Sequence, residues 1–257
     1  MPEKSYLKIA SKPIKKAMVV SHERSGTHFL MNTLDKNFSY VSRPWINFDF
    51  ELGINFHSSK AILNFFRKLH NKPVLNIVKS HHHFSFFSSI IQYLTTQFHI
   101  FYIYRDPRDT MASFYRLIDH FQWDEGPRTS GISEFIRAQP RGGILRYQKE
   151  QEPDMLSRWQ NHVLSWYDYA RENGNITLIK YKDLNLNFDK TVERIGHVLG
   201  ENVEEPIRPG IDENVIHKGT GKVGSHKDYL SNQDYEYFQD KVGSIMSKLG
   251  LTWETII

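Results

Sequence analysis

The chain has 257 residues, 39% hydrophobic and 24% charged, which predicts one globular domain over 1–257 with a sizeable core. Its 33 basic and 29 acidic side chains leave a formal charge of +4, suited to an anionic ligand but short of the dense basic patch that duplex nucleic acid demands, so no nucleic-acid partner is expected. The absence of cysteine excludes disulfides, thiolate nucleophiles and zinc–thiolate sites, and no apolar run reaches the length of a signal core or a membrane span, so the expectation is a soluble, cytoplasmic protein.

In chain order, Met18–Val20 reads as a strand and a polar turn with one glycine follows. Phe29, Leu30, Thr33, Leu34 and Phe38 then recur at helical spacing, predicting a helix over about Ser25–Lys36. From Tyr40 to Lys72 the sequence is irregular and rich in aromatics, with a helix only around Ser59–Leu69. Val74–Val78 reads as a buried strand that delivers Lys79-Ser80-His81-His82-His83 at its carboxyl end, and Ser88–Tyr93 as a short helix. His99–Tyr104 is the next strand. It ends in Arg105-Asp106-Pro107-Arg108-Asp109, where Pro107 and Asp109 are start signals for a helix. Phe121–Pro153, with three prolines and four glycines, reads as a long loop that holds one short helix near Ser133–Ala138 and is long enough to be a lid. An amphipathic helix over Met155–Asn173, closed by Gly174, precedes a strand at Ile176–Tyr181, a helix marked by Phe188, Val192, Ile195 and Leu199, a glycine- and lysine-rich stretch over His217–Gly224 and a last helix through Tyr235–Leu249. Four strands alternating with helices imply an α/β fold: a parallel sheet flanked by helices, with ligands beyond the carboxyl ends of the strands, where Arg24, His81 and Arg105 fall.

The turn Arg24-Ser25-Gly26-Thr27 lies at a helix N-terminus, whose unpaired N–H groups and dipole bind anions. It lacks the spacing of a nucleotide-triphosphatase P-loop, because the first glycine is missing and Thr27 directly follows Gly26. Ser113, about one turn or more into the helix after Arg105, is spaced so that one phosphate can meet both groups. The three consecutive histidines suggest a metal, but in extended backbone His82 points away from His81 and His83, and no nearby carboxylate completes a ligand set, so no metal is expected.

Together these stretches resemble the sulfotransferases that use 3′-phosphoadenosine 5′-phosphosulfate. Arg24-Ser25-Gly26-Thr27-His28-Phe29 resembles their 5′-phosphosulfate loop, with His28 in place of a threonine and Phe29 where tryptophan often stacks. Tyr104–Asp109 with Ala112–Tyr115 resembles their 3′-phosphate motif, and Lys79-Ser80-His81 the segment that carries the catalytic base. Leu178–Leu184 is similar to the segment whose Tyr181 approaches adenine, and Gly221–Lys227 to the late loop over the 3′-phosphate. In that loop the family's Arg-Lys pair falls on uncharged Gly219 and Thr220, leaving Lys218 or Lys222, with backbone N–H groups, to hold the phosphate. The resemblance implies a P-loop-like sulfotransferase fold and sulfuryl transfer to a hydroxyl or amine, with His81 as base and Arg24, Lys79 and Ser113 as the other catalytic candidates. The acceptor it implies is a small molecule, lipid or carbohydrate: the aromatics from Trp45 to Phe66 with Phe84, Phe86 and Phe87 suit an apolar one, and the arginines from Arg128 to Lys149 an anionic one. A homodimer is possible, although Asn232 breaks the family's dimer motif. The remaining alternatives are a small P-loop kinase and a non-catalytic nucleotide- or polyanion-binding module.

Overall fold

A computed structural model describes residues 15–51, 53–121, 124–210 and 221–251. Residues 1–14 and the late-loop candidates Lys218, Gly219 and Thr220 lie outside them. The elements run β1 (Lys16–Ser21), α1 (Thr27–Asn37), β2 (Val41–Asn47), α2 (Ser59–His70), β3 (Asn76–Ser80), α3 (Ile91–Gln97), β4 (Phe98–Tyr104), α4 (Pro107–Phe121), α5 (Ile132–Arg137), α6 (Met155–Asn173), β5 (Thr177–Lys180), α7 (Tyr181–Leu186), α8 (Phe188–Leu199) and α9 (Asn232–Lys248).

The strands form one parallel sheet in the order β2-β3-β1-β4-β5. Alternate residues of each strand enter opposite layers: Met18, Val20, Ile100 and Tyr102 pack with α4 and α6, whereas Ala17, Val19, Phe101 and Ile103 pack with α1 and α8. With helices on both faces, β1 is buried along its whole length, which is why its sequence is a continuous apolar run rather than an alternating one. The chain leaves β1 toward β2 on one side and later returns to β4 on the other, so the sheet order reverses at β1. Registers Val20↔Ser80, Ser21↔Ile103 and Tyr104↔Lys180 end the strands nearly level. The loops after β1, β3 and β4 therefore converge at the switch point, the crevice where open α/β sheets bind ligands.

Among the described residues the sheet has five strands, not the four expected. The stretch after Tyr40 contains β2, an edge strand whose Pro44 and register shift between Val41 and Ile46 erase the alternation that would have marked it. Lys79 and Ser80 lie inside β3 rather than after it, the helix expected at Ser88–Tyr93 is a tight turn at 88–90 followed by α3, and Tyr181 opens α7. Phe121–Pro153 holds a second helical turn, Gly142–Tyr147, and is tied down: the His83 amide donates to the Tyr147 carbonyl (2.8 Å) and the Met155 amide to Ala138 (3.0 Å).

Trp166 of α6 joins core to site, stacking on Tyr102 at 5.7 Å and donating its indole N–H to the His82 carbonyl at 3.2 Å. Trp166→Ala should cost about 3–5 kcal/mol, read as a lower midpoint of urea unfolding.

Candidate functional site

The loop between β1 and α1 is shaped for an anion. Arg24 (φ 65°) and Gly26 (φ 99°) both occupy the left-handed region, which turns the chain sharply into α1. Gly26 is required there: a Cβ on it would lie 2.3 Å from Cδ2 of Tyr181. No side chain caps α1, whose N-terminus carries the positive end of the helix dipole, and Ser25 Oγ is buried without a hydrogen-bond partner among the described residues. Thr27 Oγ1 lies 2.7 Å from Ser21 Oγ.

Arg105, at the end of β4, joins this loop to the late loop. Its guanidinium donates to the carbonyls of Arg24 (3.4 Å) and Lys222 (2.9 Å), pairs with Asp109 at 3.4 Å and lies 4.4 Å from the centre of the Tyr181 ring. Its Nε, also buried, has no partner among the described residues. Asp109 in turn accepts from the amides of Gly224 (2.9 Å) and His226 (3.1 Å) and from the Ser225 hydroxyl (3.2 Å), and lies 3.0 Å from His226 Nδ1, while the Tyr181 hydroxyl donates to the Gly221 carbonyl (2.9 Å). Arg24 donates to Ser113 Oγ at 3.0 Å; its pKa is pushed down to about 10, first by burial and then by Arg105 and Arg116. Unpaired buried donors beside clustered guanidinium groups fit a multiply charged anion.

At the end of β3, His81 Nδ1 faces the Ser21 carbonyl at 2.9 Å and Ser21 Oγ at 3.3 Å. A carbonyl only accepts, so Nδ1 carries the proton and Nε2 keeps its lone pair. Burial, and then Lys79, hold the His81 pKa down to about 4, so the ring is neutral at pH 7. Contrary to the expectation from sequence, a carboxylate does stand beside the histidines: Asp49 lies 2.8 Å from Lys79 Nζ, accepts from the His81 amide at 2.7 Å and lies 3.3 Å from His82 Nδ1. It was missed because it sits in the turn Phe48–Phe50 after the unrecognised β2. Among the described residues no three His, Cys, Asp or Glu side chains are placed to hold a metal.

A second buried system escaped the sequence. Glu23 accepts from both terminal nitrogens of Arg158 (3.0 and 2.7 Å), and Arg158 also reaches His22 Nε2 at 2.8 Å. Burial opposes the Glu23 charge, but Arg158, with His22 and His81, outweighs it and holds the pKa down to about 2, while burial pushes His22 down to about 4. Glu23 and Arg158 are 135 positions apart, so no local pattern announces the pair.

One cavity of about 980 Å³ is lined by Arg24, Gly26, Thr27, Lys79, His81, Arg105, Ser113, Tyr181, Gly221 and Lys222 together with Glu23, Phe50, Phe114, Leu117, Ile144 and Tyr147. His28 lies on its wall, edge-on to Trp45 at 5.0 Å, and Phe29 lies there too, 6.3 Å from Tyr181 and under the Arg208 guanidinium at 5.2 Å. Most of the aromatics considered for an acceptor pocket are core instead: Phe48, Phe86 and Phe87 pack around His82 in the interior, and Phe66 packs on Phe48 and Phe87. Phe50, 55% exposed, is on the cavity.

The family model described as "Sulfotransferase domain" matches residues 15–218. Human sulfotransferase 2A1 is 22% identical over 250 residues, covering 92% of this chain and 76% of that protein. Among solved structures, mouse sulfotransferase SULT7A1 complexed with PAP superposes with a TM-score of 0.62 at 19% identity, over 92% of this chain and 86% of the other. Retinol dehydratase in complex with retinol and PAP gives 0.61 at 16%, over 93% and 83%. At these identities the two structures share the fold with this chain. No helix among the described residues is long and apolar enough to cross a membrane.

Gly26→Ala forces a left-handed alanine against Tyr181 and should destabilise the fold by about 1–3 kcal/mol, read as a lower midpoint of urea unfolding. His22 and His81 have folded pKa values of about 4, below the ordinary histidine value of 6.5, so the unfolded chain binds more protons between those limits. Stability complete above pH 6.5 should therefore be lost as pH falls toward about 4, followed by melting temperature in stepped buffers.

Proposed function

The chain belongs to the sulfotransferase domain family, and on that footing we propose that it transfers the sulfuryl group of 3′-phosphoadenosine 5′-phosphosulfate to the hydroxyl of an apolar small molecule, with His81 as general base. The observation that carries this reading is the 2.9 Å contact between His81 Nδ1 and the Ser21 carbonyl, which leaves a neutral ring with its basic Nε2 free at the edge of the cavity. Bound, the donor supplies a sulfuryl group on a bridging oxygen that gains negative charge as the S–O bond breaks.

The chain's own residues divide the remaining work. Amides at the start of α1, with the hydroxyls of Ser25 and Thr27, hold the 5′ end at an uncapped helix N-terminus. Arg24 and Lys79, both on the cavity, stabilise the charge that develops on the bridging oxygen more than the ground state. Arg105 and Ser113 take the 3′-phosphate, Arg105 with its buried, unpaired Nε, while Gly221 and Lys222 close over it. Phe29 and Tyr181 flank the base, and His28 lines the wall beside it. Nε2 of His81 accepts the acceptor's proton as the hydroxyl attacks.

An apolar acceptor is favoured because Phe50, Phe114, Leu117, Ile144 and Tyr147 wall the same cavity. Two arginines that suggested an anionic acceptor are already committed, Arg137 to Asp234 and Arg146 to Glu125, at 2.7 and 2.8 Å. Retinol, the ligand of the retinol dehydratase complex, is an apolar alcohol of this class.

Radiolabelled donor offered with a panel of phenols, sterols, lipid alcohols, amines and acidic sugars tests the reading. Label should pass to apolar alcohols or phenols, and His81→Ala should lower kcat by about a hundredfold or more while donor affinity stays within about threefold. Transfer that survives the substitution removes His81 from the mechanism, and transfer only from ATP with Mg²⁺ makes the protein a kinase. Arg105→Ala should weaken adenosine 3′,5′-bisphosphate by about 10- to 100-fold and adenosine 5′-phosphate far less; equal losses would take Arg105 off the 3′-phosphate.

A further inference from the structure

We propose that Asp49 is the positioning residue of the transfer site, holding the Lys79 ammonium through one carboxylate oxygen and the backbone that carries His81 through the other. The inference rests on the roles proposed above for Lys79 and His81.

Three features of Asp49 carry it. First, it is almost fully buried, 3% exposed, in the turn directly after β2, whose Asn47 pairs with Lys79 of β3. The sheet register itself thus sets the carboxylate beside the lysine. Second, its two oxygens divide their partners: Oδ2 meets Lys79 Nζ at 2.8 Å, and Oδ1 accepts the His81 amide at 2.7 Å and lies 3.3 Å from His82 Nδ1. Third, burial raises the carboxyl's pKa, but Lys79, His81 and His82 together outweigh it, so Asp49 stays charged with a pKa well below the ordinary range.

One rigid carboxylate therefore fixes both the cation aimed at the leaving group and the segment bearing the base. A flexible lysine needs such an anchor: its stem has four rotatable bonds, and an ångström of misplacement at a donor costs much of its transition-state contribution. The pairing also sets the field at His81. That ring faces Lys79 and Asp49 from the β3 and β2 sides and Glu23 from the loop after β1, with Arg158 of α6 neutralising Glu23. Asp49 offsets part of the Lys79 field at the imidazole, and the lysine remains the larger of the two influences on the ring.

The test is a double-mutant cycle between Asp49→Asn and Lys79→Met, read in kcat, in acceptor KM and in affinity for adenosine 3′,5′-bisphosphate. Asp49→Asn should lower kcat about tenfold or more while nucleotide affinity changes less than about threefold; with Lys79→Met already present, it should change kcat less than about twofold. That non-additivity separates positioning from a general structural role, which would multiply the two losses. A kcat for Asp49→Asn within twofold of wild type overturns the proposal, as does a double variant whose loss is the product of the single losses. Should Asp49→Asn unfold because it strands a buried ammonium, Lys79→Met against the double variant decides alone, since the double variant removes both charges together. His81→Ala keeps the two readings apart. Its retained activity beside a non-additive cycle removes the base and leaves Asp49's hold on Lys79, whereas lost activity beside an additive cycle removes Asp49 and leaves the base.

Discussion

One guanidinium, that of Arg105, holds the candidate site together. From the end of β4 it reaches the Arg24 carbonyl in the loop after β1, the Lys222 carbonyl in the late loop, the Asp109 carboxylate in the first turn of α4 and the face of Tyr181 at the start of α7. Four segments that are far apart in sequence are fixed to one planar, always charged group. Asp109 completes the joint by gathering the Gly224 and His226 amides, so the late loop is bound to the same helix as Ser113. An arginine bonded to carbonyls and a carboxylate is held still, and its Nε is buried without a partner among the described residues.

The second organising constraint is electrostatic. The crevice collects Arg24, Lys79 and Arg105 around a helix N-terminus, which favours anions, yet the ring proposed as base must remain uncharged in that field. Burial and Lys79 keep His81 neutral, and the buried carboxylates balance the cations one by one: Asp49 against Lys79, Glu23 against Arg158, Asp109 against Arg105. Pairs of this kind contribute little net stability, because each partner loses its hydration. What they contribute is fixed geometry in a place where a mobile charge would be useless for transition-state stabilisation.

How legible these features are follows from their range. The elements of the sheet's centre are readable because their causes are local: a continuous apolar run for β1, Gly174 and Gly200 closing α6 and α8, Pro107 opening α4. The edge strand β2 is not, since Pro44 and a shifted register leave no periodic signal. Asp49 fell with it. Glu23 and Arg158 were illegible for a different reason: a buried ion pair across 135 positions has no trace in either flanking sequence. The aromatics between Trp45 and Phe87 were ambiguous because core and pocket ask for the same side chains, and only packing separates buried Phe48 from exposed Phe50.

The sequence by itself determined the family and the parallel α/β architecture, and it named the residues that follow β1, β3 and β4, because loop chemistry and strand hydrophobicity act over a few positions. The tertiary structure alone decided which of those residues meet. It turned the His81 ring so that Nδ1 is used by Ser21, set Arg24 on Ser113, tied Arg105 to the late loop and brought an unannounced carboxylate against Lys79. The reason is that charge pairing and tautomer choice depend on distances through space, which strand register and sheet order set and which spacing along the chain does not encode.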